Sequence, residues 1–91
     1  MYTIKTSGTF EKDFIRCVKR NYHLKLFEDV IAQLETNGRL PAKYKPHKLT
    51  GQYKGFWECH VKPDWLVIWR QNNKTRIIEL VRAGTHSDLF K

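Results

Sequence analysis

The chain has 91 residues, and its 17 Lys and Arg against 9 Asp and Glu give a formal net charge of +8. That length suits a single domain spanning residues 1–91, which buries roughly 60–65% of its unfolded surface and leaves no room for a separate dinucleotide domain. A hydrophobic content of 41% argues against disorder, and the longest apolar run, Trp65 to Trp69, is far shorter than the ~20 residues that span a membrane.

The opening Met1 to Lys5 has no apolar signal region, so a cytoplasmic location is expected. Tyr2 to Thr6 is β-branched, aromatic and alternating, and reads as a first strand. Ser7 is placed to cap a helix running to about Tyr22, with Phe10, Phe14, Cys17 and Val18 at helical spacing. A second helix runs from about Leu24 to Thr36, where Phe27, Val30, Ile31 and Leu34 form an apolar stripe. Asn37-Gly38 supplies its left-handed stop. The short Asn21-Tyr22-His23 link suits an antiparallel helix hairpin, and His23 reads as a solvated turn residue.

From Arg39 to Gly55 two prolines and two glycines break any period. This basic loop carries Arg39, Lys43, Lys45, Lys48 and Lys54 and no acid. Loops of such length in a small domain are uncommon unless they are functional. Three strand signals follow. Phe56 to Val61 alternates, setting Phe56, Glu58 and His60 on one face and Trp57, Cys59 and Val61 on the other. Trp65 to Arg70 is a continuous apolar run suited to a central strand, and Thr75 to Ala83 is the last. Cys17 and Cys59 form no CxxC and read as reduced core thiols. The expected class is α+β, ordered β-α-α-β-β-β, with two N-terminal helices on one face of an antiparallel sheet and the other face free to meet a ligand.

Charge of this sign favours a polyanionic partner: nucleic acid, the ribosome or an acidic protein. His47, His60 and His86 lie in the basic loop, on a strand face and just after the last strand, and Asp64 follows His60 at a turn. If the last three strands are neighbours, these groups converge at one end of the sheet. Their spacings match neither HExxH nor a zinc finger, so no metal site is expected. They suit metal-free RNA cleavage, in which a base takes the 2′-OH proton and an acid protonates the leaving 5′-oxygen. Lys45, Lys48, Lys54 and Arg82 are candidates for holding phosphate charge, and Trp65 and Phe90 for stacking a base. For Trp65, at the head of an apolar run, core packing is an equal alternative, and scattered histidines also fit simple surface decoration.

Three stretches carry a resemblance: His47-x-Leu49-x-Gly51-x-x-Lys54-Gly55, then His60-Val61-x-Pro63-Asp64-Trp65, and finally Arg82-x-Gly84-Thr85-His86-x-x-Leu89-Phe90. Together they resemble the YafQ branch of the RelE/ParE toxin superfamily over nearly the whole chain. The resemblance implies a RelE-like fold and the toxin of a type II toxin–antitoxin module. It implies entry into the ribosomal A site and cleavage of mRNA without a metal or other cofactor, leaving a 2′,3′-cyclic phosphate and a 5′-hydroxyl. The family's catalytic positions fall on His47, His60, Asp64 and His86, with Trp65 and Phe90 in support. Glu58-Cys59 departs from the expected acid followed by alanine. On this reading His86 is the general acid, Asp64 or His60 activates the 2′-OH, and His47 steadies the phosphate. The implied partners are the ribosome, mRNA and a cognate antitoxin, with no membrane. Two alternatives stand beside it: a gyrase-poisoning ParE-type toxin, and a non-catalytic RNA-binding module.

Overall fold

A computed structural model describes residues 1–90. In chain order it contains β1 (Thr3–Thr6), α1 (Gly8–Lys19), α2 (Leu24–Asn37), β2 (His47–Lys48), β3 (Trp57–Lys62), β4 (Trp65–Asn72), β5 (Ile77–Gly84) and α3 (His86–Leu89). The strands form one sheet in the order β1-β5-β4-β3-β2. The expected β-α-α-β-β-β order is present, with two additions: a two-residue strand within the basic loop, and a short helix in the tail. The sheet is also mixed rather than purely antiparallel, because β1 runs parallel to β5.

The α1–α2 hairpin covers one face. Phe10, Cys17, Val30 and Leu34 from the helices pack against Cys59, Val67, Trp69, Ile78 and Leu80 from the strands. Burial in this apolar layer pushes the Cys59 thiol up to about 12, so it is a packing residue and not a nucleophile. Ser7 caps α1 by accepting from the Phe10 N–H at 3.0 Å, as its position suggested. Gly38 ends α2 at φ +68°, and a Cβ there would come within 2.3 Å of the Tyr2 ring, so the position takes only glycine.

Where β4 and β5 pair, Ile68 faces Arg82 but Trp69 faces Leu80, so Val81 is an extra residue in a bulge. A bulge leaves ladder groups unpaired, and α1 supplies their partners. The Ser7 hydroxyl donates to the Val81 carbonyl at 3.1 Å, and the Ala83 N–H donates to Asp13 Oδ2 at 3.0 Å. Asp13 is 1% exposed and also accepts from Arg82 Nε at 2.7 Å. A buried carboxylate is tolerated here because its oxygens are occupied.

The opposite face is less open than the alternation suggested. Leu66 and Ile68 are capped by Leu49, Tyr53, Phe56, Val81 and Leu89, which form a second small core. The basic loop folds back over that face through two 3₁₀ turns, Ala42–Tyr44 and Gly51–Tyr53. What stays open is the end of the sheet around the β3–β4 turn.

Candidate active site

Alternation along the strands puts the functional groups on one side. His47 pairs directly with Glu58 across β2 and β3, and His60 lies two residues further along β3 on the same face. A second bulge, between His60 and Lys62, closes β3 beside the turn that carries Asp64. The tail then leaves β5 at Gly84 and brings His86 back over that turn. The three imidazoles stand in a row: ring centroids are 6.2 Å apart for His47 and His60, and 5.9 Å for His60 and His86. Phe90 continues the row at 6.4 Å from His86 and meets Tyr53 edge-on at 6.0 Å.

The partners of each ring decide what it can do. Asp64 Oδ1 accepts from both the His86 backbone N–H, at 2.9 Å, and the His86 Nδ1–H, at 2.7 Å. These two bonds hold the Asp64 carboxyl below the usual carboxylate range. With Nδ1–H committed, Nε2 is the nitrogen of this 56% exposed side chain left to exchange a proton. His60 Nδ1–H donates to the Pro63 carbonyl at 3.3 Å, leaving Nε2 as the basic nitrogen, 3.9 Å from Glu58 Oε1. His47 differs. Its Nδ1–H donates to the Lys45 carbonyl at 2.8 Å, while Nε2 lies 3.2 Å from Glu58 Oε1. Its two nitrogens thus lie between a backbone carbonyl, to which Nδ1 is hydrogen-bonded, and the Glu58 carboxyl, which Nε2 approaches at ion-pair distance. Lys45 turns its carbonyl to this ring from a left-handed backbone, φ +50°.

Glu58 sits at the centre of this arrangement. It is 4% exposed, and its Oε2 is buried with no hydrogen-bond partner. Beside His60 a cleft of about 230 Å³ is lined by Lys43, Lys45 and Lys62. Three lysines beside an imidazole give this cleft a positively charged lining, of the kind that attracts anions. Among the described residues, no group of three or more His, Cys, Asp or Glu is arranged to hold a metal ion.

Three comparisons place the chain in a family. Residues 2–91 match the family described as the bacterial toxin of type II toxin–antitoxin system, YafQ. The chain belongs to the YafQ family. The mRNA interferase toxin YafQ of Escherichia coli K12 is 36% identical over 88 residues, covering 96% of this chain and 94% of the relative. YafQ in the E. coli DinJ–YafQ complex superposes with a TM-score of 0.89 at 34% identity, over the full length of both chains. A metal-bound toxin from Helicobacter pylori superposes with the same TM-score at 44% identity, covering 99% of this chain and 100% of that one.

Of the positions that the YafQ resemblance marked, His47, His60, Asp64, His86 and Phe90 lie together. Trp65 does not join them. It is 4% exposed and sits on the helix side between Tyr22 and Phe27, so the core-packing alternative describes it and its faces are not open to a base. Among the basic candidates, Lys45 borders the cleft. Lys48 does not, because it pairs with Trp57 and so points to the opposite face, its ammonium 5.7 Å from the Trp57 ring. The Arg82 guanidinium is committed to Asp13 and, at 3.5 Å, to the Tyr53 hydroxyl. Lys54 is exposed at the end of the second 3₁₀ turn. Lys43, Lys62 and Glu58 were not singled out from the sequence. Glu58 had a signal in its shared strand face with His60 and Lys43 one in its place in the basic loop, whereas nothing local marks Lys62.

Proposed function

We propose that the chain is an mRNA interferase, the toxin of a type II module, which cuts message in the ribosomal A site using only its own acid–base groups. The observation that carries this reading is the row of three imidazoles whose hydrogen-bond partners set them to different tasks. His60 takes the 2′-OH proton on Nε2, and Glu58 stabilises the imidazolium that forms. The 2′-oxygen attacks the adjacent phosphorus. The bond from phosphorus to the 5′-oxygen breaks, and His86 Nε2–H delivers a proton to that oxygen. The products are a 2′,3′-cyclic phosphate and a 5′-hydroxyl. Asp64 carries no proton in this scheme, because both its bonds go to His86 and its carboxylate stabilises the charged acid. His47 and the Lys43–Lys45–Lys62 cleft hold the negative charge that builds on the phosphorane. Phe90, 45% exposed beside His86, offers a ring to an unpaired base.

The E. coli relative named for mRNA interferase activity and the relative solved with DinJ support the two halves of this reading, nuclease and antitoxin partner. A charge of +8 suits both rRNA and an acidic antitoxin. That antitoxin neutralises the toxin by covering His60 and His86 or by displacing the tail.

The decisive experiment is brief induction in cells followed by mapping of new mRNA 5′ ends, with His86→Ala in parallel. Cuts phased to the reading frame and absent from the variant are expected. Unphased cuts would remove the ribosome from the mechanism, and undiminished cutting by His86→Ala would remove His86 as the acid. Activity that disappears on chelation and returns with added metal, in a purified translation reaction whose magnesium is restored, would overturn the metal-free assignment.

A further inference from the structure

We propose that Asp88, gripped by Arg20 at the C-terminal end of α1, is the positioning residue that holds His86 over the site. The inference rests on the cleavage reading above only in making His86 the acid. Its geometry stands independently.

The helix that carries His86 is four residues long and buries one side chain, Leu89. One turn of helix has no stability of its own in water. The Asp64–His86 pair does not supply it, because those side chains are 64% and 56% exposed and such pairs contribute little. The fixing comes from the far side of the helix. Arg20 grips Asp88 with both guanidinium ends, Nη1 to Oδ2 at 2.7 Å and Nη2 to Oδ1 at 3.2 Å. Asp88 also closes a capping box: the Thr85 N–H donates to its Oδ2 at 2.9 Å, and its own N–H donates to the Thr85 hydroxyl at 3.1 Å. The approach is tight enough to specify the preceding residue. Gly84 has φ +148°, and a Cβ there would lie 2.6 Å from Asp88 Oδ2.

The grip belongs to a longer line of alternating charge. Arg16 lies 3.7 Å from Asp88 and 3.3 Å from Asp13. Asp13 in turn holds Arg82, which reaches Tyr53, the ring on which Phe90 rests. The tail is thus tied at Asp88 to the rigid helix layer and at Phe90 to the loop that carries His47. His86 is the first residue of α3, so any rotation of that turn displaces its Nε2. Displacements of about 1 Å at a reacting group cost up to ~100-fold in rate.

The test compares Arg20→Gln with Arg20→Lys in the full chain. Arg20 is an exposed residue at the end of α1, and Arg20→Gln should melt within a few degrees of the wild type. Expected for Arg20→Gln are a fall in kcat of about 10- to 100-fold with little change in KM, and loss of the Asp64-bonded Nδ1–H signal of His86 in nitrogen-15 NMR. Arg20→Lys, which keeps a cation opposite Asp88, should recover much of both. Asp88→Asn, which leaves the cap partly formed, should behave like Arg20→Gln. An unchanged His86 signal in Arg20→Gln overturns the proposal whatever happens to the rate, and so does a lost signal with an unchanged kcat. If the wild type cuts no message, the cleavage reading fails while the NMR comparison still decides the clamp.

Discussion

Asp64 Oδ1 receives two donors from one residue, the backbone N–H and the ring Nδ1–H of His86, at 2.9 and 2.7 Å. These two hydrogen bonds set which ring nitrogen of His86 stays free, while the Arg20–Asp88 grip holds the turn that carries it. Asp64→Asn keeps the shape but removes the charge that stabilises a doubly protonated ring. Expected are a fall in kcat of roughly 10²-fold for Asp64→Asn and roughly 10²–10⁴-fold for His86→Ala. Single-turnover cleavage on programmed ribosomes measures both. An Asp64→Asn enzyme at full rate would show that Asp64 does not tune the acid.

Glu58 is a buried carboxylate with one unpartnered oxygen, an arrangement that stability alone does not favour. A buried ion pair can often be replaced by apolar groups without loss of stability, and removing Glu58 leaves no buried charge behind because its partner His47 is 47% exposed. Glu58→Leu should therefore melt at or above the wild-type temperature while cleavage falls by about 10²-fold. A lowered melting point with proportionate loss of activity would make Glu58 structural.

Asp13 presents the opposite case. Its oxygens hold the buried Ala83 N–H and two nitrogens of the part-buried Arg82 guanidinium, so Asp13→Ala leaves a buried backbone donor unpaired and takes away the carboxylate that pairs Arg82. The expected cost is ~3–5 kcal/mol, which in a domain of this size lowers the melting temperature by more than ~10 °C. Thermal denaturation followed by circular dichroism checks this.

Acid should release the tail before it unfolds the sheet. Asp64 is held below its ordinary value of 3.8 by its bonds to His86, and Asp88 is held well below 3.8 by the Arg20 guanidinium, with help from Thr85. A depressed carboxyl contributes fully above its ordinary value, and that contribution is lost as pH falls through the lower folded value. The amides of Thr85, His86 and Leu89 should therefore lose protection progressively below about pH 4, while those of β4 persist. Equal loss in both would contradict a separately attached tail.

Lys43, Lys45 and Lys62 border the cleft beside His60. Replacing all three by alanine should weaken ribosome binding at every message sequence. It should also flatten the dependence of log K on log salt by roughly 0.7–0.9 per phosphate contact removed. Lys48→Ala, on the opposite face, should leave that slope nearly unchanged.

Much of the fold was legible locally. The Ser7 cap, the stop at Gly38, the helix stripe through Val30 and Leu34 and the buried run from Trp65 to Trp69 each follow from a few adjacent residues. The placement of Glu58 and His60 on one face follows from the two-residue period of a strand. The parallel pairing of β1 with β5 was not legible, because Thr3 and Ile77 meet only after the intervening chain has folded.

The sequence by itself determined the order of the two long helices and four longer strands, the helix-side core, the basic loop and the residue types from which the site is built. Only the tertiary structure decided which of them meet. Asp64 belongs to His86, 22 residues away, and Arg82 to Asp13, 69 away. Strand register turned Lys48 away from the site, and the helix hairpin closed over Trp65. Side-chain type and period are properties of short stretches, whereas pairing depends on register, bulges and crossovers that are settled when the whole chain packs.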